Sequence, residues 1–254
     1  GSLQGAKRFR EYAIYEIFSS SFKLSALLLV LIGLGLVGAT FSLVIELYAA
    51  SILLYILLRP SFSSEKLGYY SIIFKSSIFT FATFSAFNID IILMKLFMST
   101  KTVGLYTSIS VFGKAIFFGS SAVSKASFPS FSSSSGNSSL LIKSAAIIAS
   151  GGIFSVLFFQ FFGEFLIRIT FGLNYVDAAS FAPIYMAFMT LLGLCLLLGN
   201  YHLSLDTKFI NLLAVLPILQ TVLILMFHGK VIHIIYSGMM ASAVTFFLLL
   251  VPIV

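Results

Sequence analysis

Several charged residues lie inside apolar stretches of this sequence: Glu16, Lys23, Glu46, Lys75, Asp90 and Lys114. A charge within a membrane-length apolar segment is costly, so it faces a protein interior or a water-filled cavity and marks an ion or substrate pathway. Lysine attracts phosphate as a point charge, and an intramembrane carboxylate can take up a proton or a cation. We predict that Lys23 and Lys114 bind an anionic substrate and that Asp90 and Glu46 act in ion coupling or gating. The alternative, internal ion pairs that hold helices together, stays open.

Other polar residues have simpler interpretations. Glu16 and Lys75 lie nearer the ends of their apolar stretches, where long side chains reach back to the membrane surface. Three histidines lie in or beside expected loops, which favours an interfacial position: His202, His228 and His233. The sequence contains no metal-ligand spacing, nucleophile elbow, Walker loop or dinucleotide fingerprint. We therefore predict no metal site and no cofactor, and nothing in these motifs favours an enzyme.

The composition decides which elements must position these residues. The chain is 59% hydrophobic and 9% charged, with a mean hydropathy of +1.10, whereas soluble domains carry about 25% charged residues. The apolar runs are long and unbroken, which indicates spanning helices rather than the alternating strands of a barrel. The formal charge of +7 comes from basic residues scattered singly between apolar runs, which is typical of a membrane surface and not of a nucleic-acid interface. We predict an all-α polytopic membrane protein.

A membrane span needs about 20 apolar residues. The sequence offers about eight such stretches by that rule, at 12–32, 37–57, 69–98, 104–128, 140–166, 178–198, 209–227 and 231–251. The third would measure about 45 Å as a helix, which exceeds a hydrocarbon core of about 30 Å. It must therefore tilt, bend or protrude, and Asn88 and Asp90 offer a polar place for a bend.

The breaks between spans also carry information. Residues 130–139 form a serine-rich stretch that we expect to be a loop. The turn at 171–175 precedes Asp177, which we predict to be a helix N-cap. The small residues at 144–152 favour close packing between helices. Lysine and arginine are more frequent in the connections on the N-terminal side, so we predict a cytoplasmic N-terminus.

Three segments carry a resemblance to a known family. The opening segment contains Gly5, Arg8 and Phe9, and then Lys23 in the first span. The stretch from 88 to 112 contains Asp90, Val103, Gly104 and Tyr106. The turn before the sixth span contains Phe171, Gly172, Tyr175 and Ala178. The order and spacing of these residues, together with the stretch 196–209, are similar to those of the polysaccharide-transporter flippases, which export O-antigen and exopolysaccharide units.

The resemblance implies a fold and a function. It makes the chain a C-terminal fragment in which residues 1–60 are the last two helices of one six-helix lobe and residues 61–254 are a complete second lobe. The implied substrate is an undecaprenyl-pyrophosphate-linked oligosaccharide, moved by alternating access across the inner membrane of a prokaryote. The implied partners are that substrate and the bilayer, and a polysaccharide polymerase and a chain-length regulator are further candidates.

Other functions stay open. A lipid II flippase of the same superfamily also has a cationic cavity, whereas a multidrug antiporter exports cations and fits lysines less well. A multispan membrane enzyme of glycan assembly would need a large outer loop for its catalytic residues. The longest expected outer loop, 167–177, is too short for that.

Overall fold

The computed structural model describes residues 35–58, 69–133 and 138–253, together with residues 14, 17, 18 and 21. These residues are almost entirely helical, and no strand occurs among them. The prediction of an all-α fold is therefore confirmed. Helices are the expected solution because an apolar segment in lipid must satisfy its backbone hydrogen bonds within itself.

The chain divides into two compact units, Gly1–Lys66 and Leu67–Val254. Helix α1 (Gly35–Leu58) belongs to the first unit. The described residues of the second unit form six α-helices: α2 (Tyr69–Phe97), α3 (Thr100–Ser133), α4 (Ser138–Phe171), α5 (Ala182–Ser204), α6 (Val215–Met226) and α7 (Val231–Leu250). The predicted domain boundary after residue 60 falls within 59–68, outside the described residues.

Among the described residues, six helical segments are long and apolar enough to cross a membrane, and these six lie in the second unit. This indicates a multi-pass membrane protein. Most of the predicted first span lies outside the described residues, and the predicted total of about eight spans stays a prediction. Helix α2 is unbroken through Asn88 and Asp90. Helices α3 and α4 have 34 residues each and therefore extend to about 50 Å. Helix α3 takes in the first residues of the predicted serine-rich loop.

Short 3₁₀ segments precede two of the helices. Leu173–Phe181 leads into α5 and Lys208–Ala214 leads into α6. The predicted turn occurs at Gly172, whose φ of 91° is in the left-handed region that favours glycine. The prediction that Asp177 is an N-cap is wrong. Asp177 lies within the first 3₁₀ segment, and α5 begins five residues later with Phe181 in the cap position.

Helix α5 is the centre of the second unit, where it contacts α3, α4 and α7. The predicted close packing of the small residues at 144–152 is confirmed at both ends. A Cβ atom added to Gly152 would lie 2.1 Å from Cγ2 of Thr190 on α5. The Ser144 hydroxyl lies 2.8 Å from that of Ser127 on α3. Lipid provides no hydrophobic driving force for helix association, so the helices depend on close packing. Small residues allow their backbones to approach closely.

Candidate functional site

Asp90 lies on α2 and is completely buried. Its Oδ2 atom accepts a hydrogen bond from the Tyr106 hydroxyl at 2.6 Å and another from the Tyr185 hydroxyl at 3.3 Å. Its Oδ1 atom accepts the backbone N–H of Ile91 at 2.8 Å. A buried carboxylate without such partners would cost several kcal/mol. The two tyrosines therefore explain how this carboxyl group is tolerated inside the helix bundle.

Three helices converge on this carboxylate. Tyr106 comes from the second turn of α3, and Tyr185 comes from the first turn of α5. The two rings pack edge to face with centroids 5.3 Å apart. Gly113 makes room for this arrangement, because a Cβ atom there would lie 2.4 Å from Cε1 of Tyr185. We call Asp90, Tyr106 and Tyr185 the carboxylate cluster.

The carboxylate cluster can respond to a proton or a cation. Hydrogen bonds to a charged acceptor contribute about 1.5–3 kcal/mol, whereas neutral ones contribute about 0.5–1.5 kcal/mol. Neutralising Asp90 would therefore weaken the bonds that tie α2 to α3 and α5. This is the chemistry expected of a coupling or gating group.

Lys114 lies on α3 near this cluster, but its amine does not donate to Asp90. Its Nζ donates to Oδ1 of Asn88 at 3.1 Å and lies 4.5 Å from the centroid of the Phe87 ring. Asn88 and Asp90 are two positions apart on α2, so they point to different sides of that helix. Lys114 is half-buried and is held by an amide and an aromatic face.

The other two predicted site residues cannot be placed in the same way. Lys23 lies outside the described residues. Glu46 falls on α1, where the backbone is described but the side chain is not. The structure thus places Asp90 and Lys114 on two helices that contact each other, and the roles of all four residues stay predictions.

A second polar group lies at the opposite end of the helices. Lys75 donates to Oδ1 of Asp206 at 2.6 Å and to its backbone oxygen at 2.8 Å. His202 is buried, with Nδ1 3.0 Å from the Thr207 hydroxyl and Nε2 2.8 Å from the Leu249 oxygen. These contacts join α2, α5 and α7. Lys75 thus forms an ion pair and His202 packs between elements, and the interfacial positions expected for both stay predictions.

Two of the three segments that carry the sequence resemblance are in contact, whereas the opening segment lies outside the described residues. Asp90 and Tyr106 come from two parts of one segment and form the shortest bond of the carboxylate cluster. Tyr175, from the turn before α5, packs on Gly104, where an added Cβ atom would lie 3.5 Å from its Cε1. The Tyr175 ring also lies 6.0 Å from that of Phe171. Residues of these two described segments therefore contact one another.

Comparison with known proteins does not supply a relative. No protein-family model, no curated protein and no solved structure matches this chain.

Tyr185 and Gly113 are the site residues that the sequence did not reveal. Tyr185 stands in an apolar stretch, and a buried tyrosine needs a partner for its hydroxyl. That need was the available signal, but it does not identify the partner. Asp90 is 95 residues away along the chain, so only the packing of α2 against α5 joins them.

Proposed function

We propose that this chain belongs to a membrane exporter of the polysaccharide-transporter type. Its substrate would be an undecaprenyl-pyrophosphate-linked oligosaccharide, carried by alternating access across the inner membrane of a prokaryote. The observation that supports this most directly is the carboxylate cluster, in which Asp90 and Tyr106 of one motif segment form a buried hydrogen bond. Six apolar helices provide the membrane setting.

In this proposal Lys114 and Lys23 attract the pyrophosphate. Lys114 suits that role because it is half-buried and its contacts are with an amide oxygen and a ring face, not with a carboxylate. Its charge therefore remains available to an anion, and lysine binds phosphate as a point charge. The sugar would cross in an aqueous cavity while the lipid tail remains in the bilayer.

Asp90 acts as the coupling or gating group, with Glu46 as the second candidate. The carboxylate holds α2 to α3 and α5 while it is charged. Arrival of a proton or a cation weakens its two tyrosine bonds, and α2 is then free to move. Release of the proton or cation restores the bonds and resets the helices. Transport is thereby linked to an ion gradient without a nucleotide.

The test is export of lipid-linked oligosaccharide in cells that lack their own O-antigen flippase and carry a matched glycan locus. We expect the full-length parent protein that the resemblance implies to restore export, Lys114→Ala and Asp90→Asn to abolish most of it, and Lys114→Arg to retain it. Lys230→Ala is the matched control, since Lys230 is an exposed residue at the start of α7. Membrane levels of each variant are measured in parallel.

The outcomes separate the alternatives. Normal export by both Lys114→Ala and Asp90→Asn would make these charges packing elements and remove them from the mechanism. No export by the unaltered protein with any matched locus would overturn the flippase proposal, and extrusion of cationic drugs should then be measured.

A further inference from the structure

A polar recess of about 710 Å³ opens where α3 begins and the first 3₁₀ segment runs beside it. We call it the α3 recess, and the residues that matter are Lys101, Leu105, Leu173, Asn174, Tyr175 and Asp177. Its volume falls within the range of about 300–1,000 Å³ typical of small-molecule sites. Two membrane-spanning segments, Thr100–Ser132 and Leu173–Ser204, start at this recess. It therefore lies at the boundary between membrane and water.

The α3 recess contains one cation and one anion that do not neutralise each other. Lys101 and Asp177 both line it and both are exposed. Within the described part of the chain, neither side chain forms an ion pair or a hydrogen bond. A ligand that carries both charges would complement both residues, whereas a purely anionic ligand would be repelled by Asp177.

The remaining lining residues point to a lipid. Leu173 is 68% exposed and Leu105 lines the same recess, so an apolar surface continues from the polar site. Tyr175 is held in place by its contact with Gly104, and tyrosine is common at the depth of lipid headgroups. A soluble sugar would satisfy the amide and the ring but would leave both full charges and the leucines without complementary partners.

We propose that the α3 recess binds the headgroup of a zwitterionic phospholipid, of the phosphoethanolamine class. The lipid phosphate accepts hydrogen bonds from the Lys101 ammonium. The lipid ammonium donates to the Asp177 carboxylate and to the Asn174 amide oxygen, and the acyl chains follow Leu105 and Leu173. A primary ammonium fits better than a choline, because a quaternary nitrogen has no proton to donate to these oxygens. This proposal does not depend on the exporter proposal.

The experiment measures lipid binding to the full chain, purified in detergent, by native mass spectrometry. Phosphatidylethanolamine, phosphatidylcholine and phosphatidylglycerol with the same acyl chains are the probes. We expect phosphatidylethanolamine to bind about tenfold more tightly than either of the others, as one additional charge-assisted hydrogen bond provides. Tighter or equal binding of phosphatidylglycerol would overturn the proposal, and equal binding of phosphatidylcholine would overturn the ethanolamine assignment.

Variants locate the site. Asp177→Asn should remove most of the preference for phosphatidylethanolamine over phosphatidylglycerol, and Lys101→Gln should weaken both lipids. Lys230→Gln removes a cation outside the recess and should leave the binding constants unchanged. Unchanged selectivity in Asp177→Asn would exclude the recess as the site. Displacement of the lipid by a soluble oligosaccharide would identify a saccharide site instead. The selectivity of the unaltered protein tests the choice of lipid even where a variant does not fold.

Discussion

Asp90 and Gln220 are both completely buried inside membrane-spanning helices, yet their surroundings are opposite. Asp90 receives three hydrogen bonds where α2, α3 and α5 meet. Gln220 lies on α6, which packs against α2 and α7, and within the described part of the chain neither its Nε2 nor its Oε1 has a hydrogen-bond partner. The α2–α3–α5 region is fixed by directional bonds. The α2–α6–α7 region depends more on apolar packing. Because the Gln220 amide forms no hydrogen bond with the described residues, a movement of α6 would break none.

Removal of the acceptor at Asp90 should have the largest effect on stability. Asp90→Leu leaves the hydroxyls of Tyr106 and Tyr185 buried without it, and an orphaned buried donor costs about 1–3 kcal/mol. We expect the free energy of unfolding to fall by about 3 kcal/mol, measured by denaturation in mixed detergent micelles. A loss below about 1 kcal/mol would mean that the carboxylate contributes little to holding the three helices.

The two tyrosines should differ in proportion to their bonds. Tyr106→Phe removes the 2.6 Å bond and Tyr185→Phe removes the 3.3 Å bond. We expect losses of about 2 and about 1 kcal/mol in the same unfolding measurement, since shorter bonds to a charged acceptor are stronger. The reverse order would show that Tyr185, not Tyr106, is the main partner of Asp90.

Gly113 tests how tightly the carboxylate cluster is packed. Gly113→Ala places a methyl group 2.4 Å from the Tyr185 ring, and such overpacking costs about 1–3 kcal/mol. Gly119→Ala is the matched control on the same helix, because nothing lies within 4 Å of its added Cβ atom. There the gain in helix propensity should leave stability unchanged or slightly higher. The comparison fails if both substitutions change the melting temperature in the same direction.

Gln220 should be the least sensitive position. Replacing an unpaired buried amide by an apolar side chain of similar size removes a desolvation cost. We expect Gln220→Leu to be neutral or to stabilise the protein by about 1 kcal/mol, in contrast to Asp90→Leu. A clear destabilisation would show that the amide of Gln220 has a partner after all, and the contrast between the two regions would then disappear.

Much of the helical architecture could be predicted from the sequence. The predicted spans at 69–98 and 231–251 differ from α2 and α7 by a single residue at the C-terminal end. Helix ends beyond the membrane were predicted less well, because α3 and α4 continue past the apolar residues on which the span rule depends. The prediction that Asp177 caps an α-helix was wrong because the same turn residues can precede either a 3₁₀ segment or an α-helix.

The sequence by itself determined that this chain forms apolar helices and that Asp90 and Lys114 lie within two of them. Those features depend on local composition, because each helix satisfies its own backbone hydrogen bonds. Only the tertiary structure decided that Tyr185 reaches Asp90, that Lys75 pairs with Asp206, and that Gln220 has no hydrogen-bond partner among the described residues. Side-chain bonds between helices depend on the rotation and depth of each helix relative to its neighbours. Packing sets both, and no single segment of the sequence contains that information.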